Sequence, residues 1–241
     1  MPTGSELVST APTRLALLGA GIAHSRSPAI YRRLIGDHIH YELLDLSRES
    51  DLPAEAELAV RYDGVSITTP WKAHYAAAAL GGARALGAVN CLRFRDGRTE
   101  ATNTDWTALR EMVPAMAREH HPVLWVLIGD GVMARVFAAV MQEKGMDFVQ
   151  YARSRGDEVA TLDLPVRHPG GGTKIVVNAC GRGFSFAGNA DATWVFWDFN
   201  YAHAIHETRL PCLFGSYIDG VGLLETQAKH AIKFWSGTLS D

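Results

Sequence analysis

Lys72 and Asp105 are the two residues of this 241-residue chain whose types best fit proton transfer. A lysine amine can take up and return a proton near neutral pH when burial lowers its pKa. A neighbouring carboxylate opposes that shift and fixes the geometry, so such a pair titrates as one dyad. A structural ion pair is the plainer use of the same two residues. A second feature is the run Gly129-Asp130-Gly131-Val132-Met133-Ala134, which fits G-x-G-x-x-A. There Gly129 permits a tight turn, Gly131 lets backbone approach a pyrophosphate, and Ala134 allows close helix–sheet packing. A ligand-free strand-to-helix turn has the same pattern. Asp130 also puts a carboxylate where phosphates would lie, and like charges repel.

NAD sites usually place an acid about 20 residues beyond such a turn. Here the chain reads Gln150-Tyr151-Ala152-Arg153-Ser154-Arg155. Guanidinium groups match phosphate geometry, so Arg153 and Arg155 suit a 2′-phosphate, and NADP is expected before NAD. Solvated surface arginines are the alternative.

These residues need elements to hold them. Apolar strand-like runs alternate with Ala-rich helical ones, the pattern of an α/β protein with helix-covered parallel sheets. Strands are expected at Arg14–Leu18, Tyr41–Leu46 and Tyr62–Thr68, and helices at 28–35 (Ser27 as N-cap) and 73–80. A hairpin is expected from Val89–Phe94 and Thr99–Ala101, turning at Arg95-Asp96-Gly97. A helix over Thr107–Arg118 ends at His120-His121-Pro122, with a domain boundary placed near it. A second series follows: strand Val123–Ile128, helix Ala134–Lys144, and strands Asp147–Tyr151, Lys174–Asn178 and Thr193–Asp198. A loop over 168–172 interrupts this series. An amphipathic helix over Leu223–Trp235 closes the chain.

Polar clusters fall at strand ends or helix starts: Ser25/Ser27, Thr68/Lys72, Asn90 and Asn103-Thr104-Asp105. Ligands of open α/β sheets bind outside the carboxyl ends of the strands. Singly, each cluster also serves as a helix cap, a strand exit or a turn.

Together the motifs resemble the shikimate dehydrogenase family. His24-Ser25-Arg26-Ser27-Pro28, Ser66-Ile67-Thr68-Thr69-Pro70-Trp71-Lys72, Gly87-Ala88-Val89-Asn90 and Asn103-Thr104-Asp105 occur in its order. So does the run from Asp219 through Gly220 to Gln227. The resemblance extends from about Leu15 to Gly237. It implies an N-terminal α/β substrate-binding domain, a Rossmann-like NADP domain, and a last helix returning to the first domain. The expected bounds are 1–106 with 222–241, and 107–221. It further implies NADP-linked, reversible oxidation of shikimate to 3-dehydroshikimate in aromatic amino acid biosynthesis.

By that resemblance Ser25 and Ser27 bind the substrate carboxylate, with Tyr201 near it. Thr68, Asn90, Thr104, Asp105 and Gln227 surround the hydroxyls, and Lys72 sits at the hydroxyl carbon that loses hydride. Arg153 and Ser154 fall where the family contacts the 2′-phosphate, and Gly220 joins Gly129, Gly131, Ala134 and Arg155 on the cofactor side. Alcohol oxidation requires an acid–base group at the hydroxyl that loses its proton, which suits Lys72.

Several positions depart from the family pattern: Ser66 for Asn, Cys91 for Thr, Trp106 for Gly, Gly19-Ala20-Gly21-Ile22 for Gly-Asn-Pro-Ile, and Asn178-Ala179-Cys180-Gly181 for Asn-Ala-Thr-Ser. Asp130, Val132 and Met133 replace small residues in the turn. The substrate side is thus kept better than the nucleotide side. Two alternatives follow: a relative oxidising quinate, aminoshikimate or another hydroxy acid, and a redox-inactive small-molecule binder. A net charge of -3 without a basic stripe gives no sign of nucleic acid or membrane-surface binding. No run nears the roughly 18 apolar residues of a spanning helix, and residues 1–13 lack a signal-peptide pattern. Three scattered cysteines indicate neither a disulfide framework nor a zinc site. The expectation is a cytoplasmic enzyme, monomeric or homodimeric, without a metal.

Overall fold

The computed structural model describes residues 12–79, 81–164 and 172–237. The expected loop at 168–172 lies outside them except for Gly172, as do most of the N-terminal segment and Leu80. The chain divides into two compact units, Met1–Thr104 with Glu225–Asp241, and Asp105–Leu224. The fold class is α/β, with one five-stranded sheet in each unit.

The first unit contains β1 (Arg14–Gly19), α1 (Ser27–Ile35), β2 (His40–Asp45), α2 (Glu55–Arg61), β3 (Gly64–Ile67), α3 (Gly81–Leu86), β4 (Cys91–Arg95) and β5 (Arg98–Thr102). Its strand order is β2-β1-β3-β4-β5. β1 pairs in parallel with β2 and β3, whereas β3–β4 and β4–β5 are antiparallel. The β4–β5 hairpin turns through Asp96 and Gly97, both at positive φ, as the twist of a two-residue hairpin requires. One sheet face is filled by Leu18, Leu58, Val65, Ile67, Leu92 and their neighbours. On the same unit Tyr31 stacks on Tyr41 and meets the Trp235 indole.

The second unit runs from α4 (Thr104–Glu119) through β6 (Val123–Ile128), α5 (Val132–Glu143), β7 (Phe148–Tyr151), β8 (Thr173–Asn178), β9 (Val195–Asp198) and α6 (Ala204–Arg209) to β10 (Ser216–Ile218), and the last helix, α7 (Val221–Ser236), belongs from Glu225 onward to the first unit. The order β10-β9-β8-β6-β7 is parallel throughout. From β6 the chain goes outward to β7 and returns to β8 on the other side. That reversal is a topological switch point, where open α/β sheets hold ligands.

Three local expectations are corrected. Residues 73–80 do not form one helix. Trp71–Ala73 and Ala76–Ala78 are separate 3₁₀ turns, and α3 starts only at Gly81. The Trp71 indole donates to Leu46 O and the Tyr75 hydroxyl to Pro53 O, while Ala79 bridges Ala101 in extended form. These anchors override the helix propensity of the alanines. Ser27 is not an N-cap but the first helical residue, its N–H donating to Ser25 Oγ at 3.2 Å. α4 starts at Thr104 rather than Thr107, because Asn90 Oδ1 accepts the Thr104 N–H at 2.6 Å and satisfies a helix-start donor from outside.

Candidate active site

In the first unit the expected substrate residues gather at one edge of the sheet. Ser25 and Ser27 follow β1, Thr68 and Lys72 follow β3, and Thr104 follows β5. β4 runs the other way, so Asn90, just before its start, reaches the same edge. The loop after β1 is clamped: Asp45 accepts the N–H groups of Gly21 and Ile22 at 2.7 and 3.0 Å, and Ala20 N donates to Thr69 O. Gly19 presses against Thr68 so closely that a Cβ there would lie 2.4 Å from Thr68 Cγ2.

Asn90 is buried and central. Its backbone donates to Thr102 O and accepts from Ile67 N, which joins β3 to β5 across it. Its side-chain Oδ1 takes both the N–H and the hydroxyl of Thr104, at 2.6 and 3.2 Å. Thr104 Oγ1 also lies 2.9 Å from Gln227 Oε1. Thr104 thus ties the side chains of Asn90 and Gln227 together, its one hydroxyl proton shared between or alternating over their two oxygens. The residue before Thr104, Asn103, is fully buried and donates to Ala88 O, holding the loop before Asn90. Lys72 is 7 % exposed, and its carbonyl accepts from Val89 N at 2.7 Å. The lysine backbone is therefore tied to the segment that carries Asn90.

Asp105 belongs to the second unit, at 8 % exposure in the first turn of α4. Trp106 follows it, with the Arg110 guanidinium 4.6 Å above its ring. The residues of the expected dyad are thus divided between the units.

The residues expected on the cofactor side lie at the carboxyl edge of the second sheet. Gly129 has φ +114, a left-handed value that favours glycine, and a Cβ there would press on the Ala179–Cys180 backbone at 3.2 Å. Gly131 is the N-cap of α5, no side chain caps that helix, and a Cβ on Gly131 would meet nothing within 4 Å. Uncapped N–H groups with open space before them suit a pyrophosphate. Ala134 is fully buried. Arg153, Ser154 and Arg155 form an exposed 3₁₀ turn after β7. Arg155 donates to Gln150 Oε1, whereas Arg153 has no ion-pair partner among the described residues. These groups fit a 2′-phosphorylated dinucleotide, and the exposed Asp130 opposes it. Burial pushes the Cys180 thiol up to about 11; Arg153 counters this, and Asp130 and Asp198 reinforce it. Asp130 and Arg153 thus act with opposite sign on one neighbourhood. Gly220 fits tightly under Phe199 O and donates to Asn200 O at 2.8 Å.

Sequence reasoning passed over the hub that holds these loops. Asp198 is fully buried, and its Oδ1 accepts from Asn178 Nδ2 and from both nitrogens of Asn200, at 2.9 to 3.0 Å. Asn178 Oδ1 and Asn200 Nδ2 then grip Cys180 N and O. His206, also fully buried, accepts the Phe186 N–H at Nε2, so its ring proton sits on Nδ1, 2.6 Å from Asp198 Oδ2. The spacing of His203 and His206 on a short helix after Asp198 was the available signal. Tyr201 lies beyond β9 with the Arg182 guanidinium 4.7 Å over its ring.

Among the described residues no His, Cys, Asp or Glu cluster suits a metal ion, and no helix is long and apolar enough to cross a membrane.

Residues 17–92 match the family described as the shikimate dehydrogenase substrate binding domain. The shikimate dehydrogenase (NADP(+)) of Chromobacterium violaceum is 29% identical to this chain over 93% of each protein. That of Xanthomonas euvesicatoria is 28% identical, over 95% of this chain and 92% of its own. Among solved structures, the shikimate 5-dehydrogenase of Thermus thermophilus, in complex with NADP(H) and shikimate, superposes with a TM-score of 0.69 at 23% identity over 95% of each chain. The shikimate dehydrogenase of Aquifex aeolicus gives a TM-score of 0.72 at 18% identity, over 93% of this chain and 92% of that one.

Proposed function

We propose that this chain, which is a divergent member of the shikimate dehydrogenase family, catalyses the NADP-linked, reversible oxidation of shikimate to 3-dehydroshikimate. The observation that carries the reading is the Asn90–Thr104–Gln227 network: three buried polar side chains hold one another together at the end of the sheet where Lys72 follows β3.

In this reading Ser25 and Ser27 bind the carboxylate, while Thr68, Asn90, Thr104 and Gln227 hold the ring hydroxyls. Tyr201 contributes beside the carboxylate. Lys72 takes the proton of the reacting hydroxyl as the carbon beneath it gives up hydride, and returns it in the reverse direction. Asp105 accepts a hydrogen bond at that hydroxyl and fixes its orientation. NADP, when bound, supplies the hydride acceptor. Gly129, Gly131 and the start of α5 would hold its pyrophosphate, with Ala134 and Gly220 allowing close packing, and Arg153, Ser154 and Arg155 would hold its 2′-phosphate.

The test follows reduced-nicotinamide absorbance with shikimate and either NADP or NAD. Turnover with NADP, and less with NAD, is expected. Tight shikimate binding without turnover would sink the dehydrogenase reading in favour of a redox-inactive binder. Trp106, large and half-buried beside Asp105, favours a second reading in which the substrate is a related hydroxy acid such as quinate; faster turnover of that acid than of shikimate would establish it.

A further inference from the structure

The loop that carries Ser25 and Ser27 leaves β1 at Gly19, opposite Asp45, the last residue of β2. Within it Gly21 has φ +65, a left-handed value, and stands where the family pattern has proline. A proline ring locks φ at about −65°, so that restraint is absent from this loop. Packing does not replace it, because a Cβ on Gly21 would meet nothing within 4 Å. One carboxylate does. Asp45 Oδ1 accepts the Gly21 N–H at 2.7 Å, and Oδ2 accepts the Ile22 N–H at 3.0 Å. Among the described residues no Lys, Arg or His pairs with Asp45, so its charge is left to these two donors. Such charge-assisted bonds are the strong ones.

The restraint continues to the serines. Ile22 is buried, and its carbonyl accepts the Ser25 N–H at 2.9 Å. Ser25 Oγ in turn accepts the Ser27 N–H at 3.2 Å, where α1 begins. Asp45, Ile22, Ser25 and Ser27 thus form one series of contacts inside the first unit. We propose that Asp45 is a positioning residue, which fixes the Gly21–Ile22 turn so that Ser25 and Ser27 are set for the substrate carboxylate. This inference rests on the dehydrogenase reading, in which those serines hold that carboxylate. The sign of the effect separates it from a plain charge effect. An exposed carboxylate acting only through its field would repel an anionic substrate, so its removal would tighten binding. Removal of a clamp instead lowers the fraction of molecules whose loop is set, and weakens binding in proportion.

The experiment compares wild type with Asp45→Ala, Asp45→Asn and Gly21→Ala, reading kcat and the KM values for shikimate and NADP. Asp45→Ala should raise KM for shikimate about 5-fold or more, as loss of bonds to a charged acceptor does, with kcat and KM for NADP within about twofold. Asp45→Asn keeps one acceptor oxygen and should lose less. Gly21→Ala strains a left-handed residue without touching Asp45, and should raise the same KM. Hydrogen exchange at the Gly21, Ile22 and Ser25 amides should quicken in Asp45→Ala. An unchanged or lower KM for shikimate in Asp45→Ala overturns the proposal. So do losses spread equally over kcat and both KM values, or unchanged exchange at the three amides. If Asp45→Ala does not fold, Asp45→Asn carries the same comparison. If wild type does not turn over shikimate, the dehydrogenase reading has failed, and calorimetric titration with shikimate decides the clamp by itself. Binding in wild type that weakens in Asp45→Ala supports it. Equal binding in both, or none in wild type, overturns it.

Discussion

In the proposed reaction Lys72 has the strictest requirements of any residue, because a proton donor or acceptor must reach one oxygen atom. Lys72→Ala should lower kcat by about 10²-fold or more, as loss of a general acid–base group does. A double-mutant cycle with Asp105→Asn, read on kcat, should give strong non-additivity if the two act as a unit; additive losses would separate their roles. Asp130 carries the opposite kind of prediction. Its carboxylate stands in the turn at the start of α5, so Asp130→Ala should tighten NADP binding, and an unchanged Kd would mean that the charge is neutralised where it sits. Single residues were the most legible scale for the substrate side. Ser25, Thr68, Asn90 and Thr104 fall on one sheet edge because strand ends can be read from sequence. Asp198 and His206 were not legible as the support of these loops, since nothing local in sequence says that a buried carboxylate gathers three loops.

At the scale of elements, the fit between β3 and α7 is closest at Gly64. A Cβ there would lie 2.4 to 2.6 Å from the Trp235 indole, whose Nε1 donates to Leu92 O at 2.8 Å. The indole is held by that bond and cannot move aside freely. Gly64→Ala should therefore destabilise the protein by about 1–3 kcal/mol, the usual range for overpacking, seen as a lower urea midpoint at unchanged m-value. An unaltered midpoint would show that α7 yields easily. Long apolar strands such as Val123–Ile128 were read correctly because buried parallel strands are continuous apolar runs. α2 was missed because only Leu58 of its seven residues is buried, so little apolar period shows. The alanine stretch after Lys72 misled for the converse reason: propensity was plain, whereas the anchors at Trp71, Tyr75 and Ala79 come from distant parts of the chain.

At the scale of the molecule, substrate-type and nucleotide-type residues are sorted largely onto different units, with Asp105 and Tyr201 the exceptions. This sorting lets each ligand be tested by its effect on stability. A ligand present at 100 times its Kd, and binding only the native state, stabilises by about 2.7 kcal/mol. NADP should raise the Tm, and NAD at equal concentration should raise it less. Equal shifts would remove Arg153 and Arg155 from 2′-phosphate recognition. The α/β class and the two-sheet plan were legible from the alternation of strand and helix patterns. The strand order β10-β9-β8-β6-β7 was not, because the short edge strand β10 carries little periodic signal.

The thiols differ in a way that matters at the bench. Cys91 is buried, Cys180 is partly shielded with its thiolate disfavoured until about pH 11, and Cys212 stands exposed. Only the thiolate attacks an alkylating reagent. Mild maleimide treatment of the native protein should therefore place one fluorophore, at Cys212, without any engineered cysteine. That would give the second unit a ready optical tag.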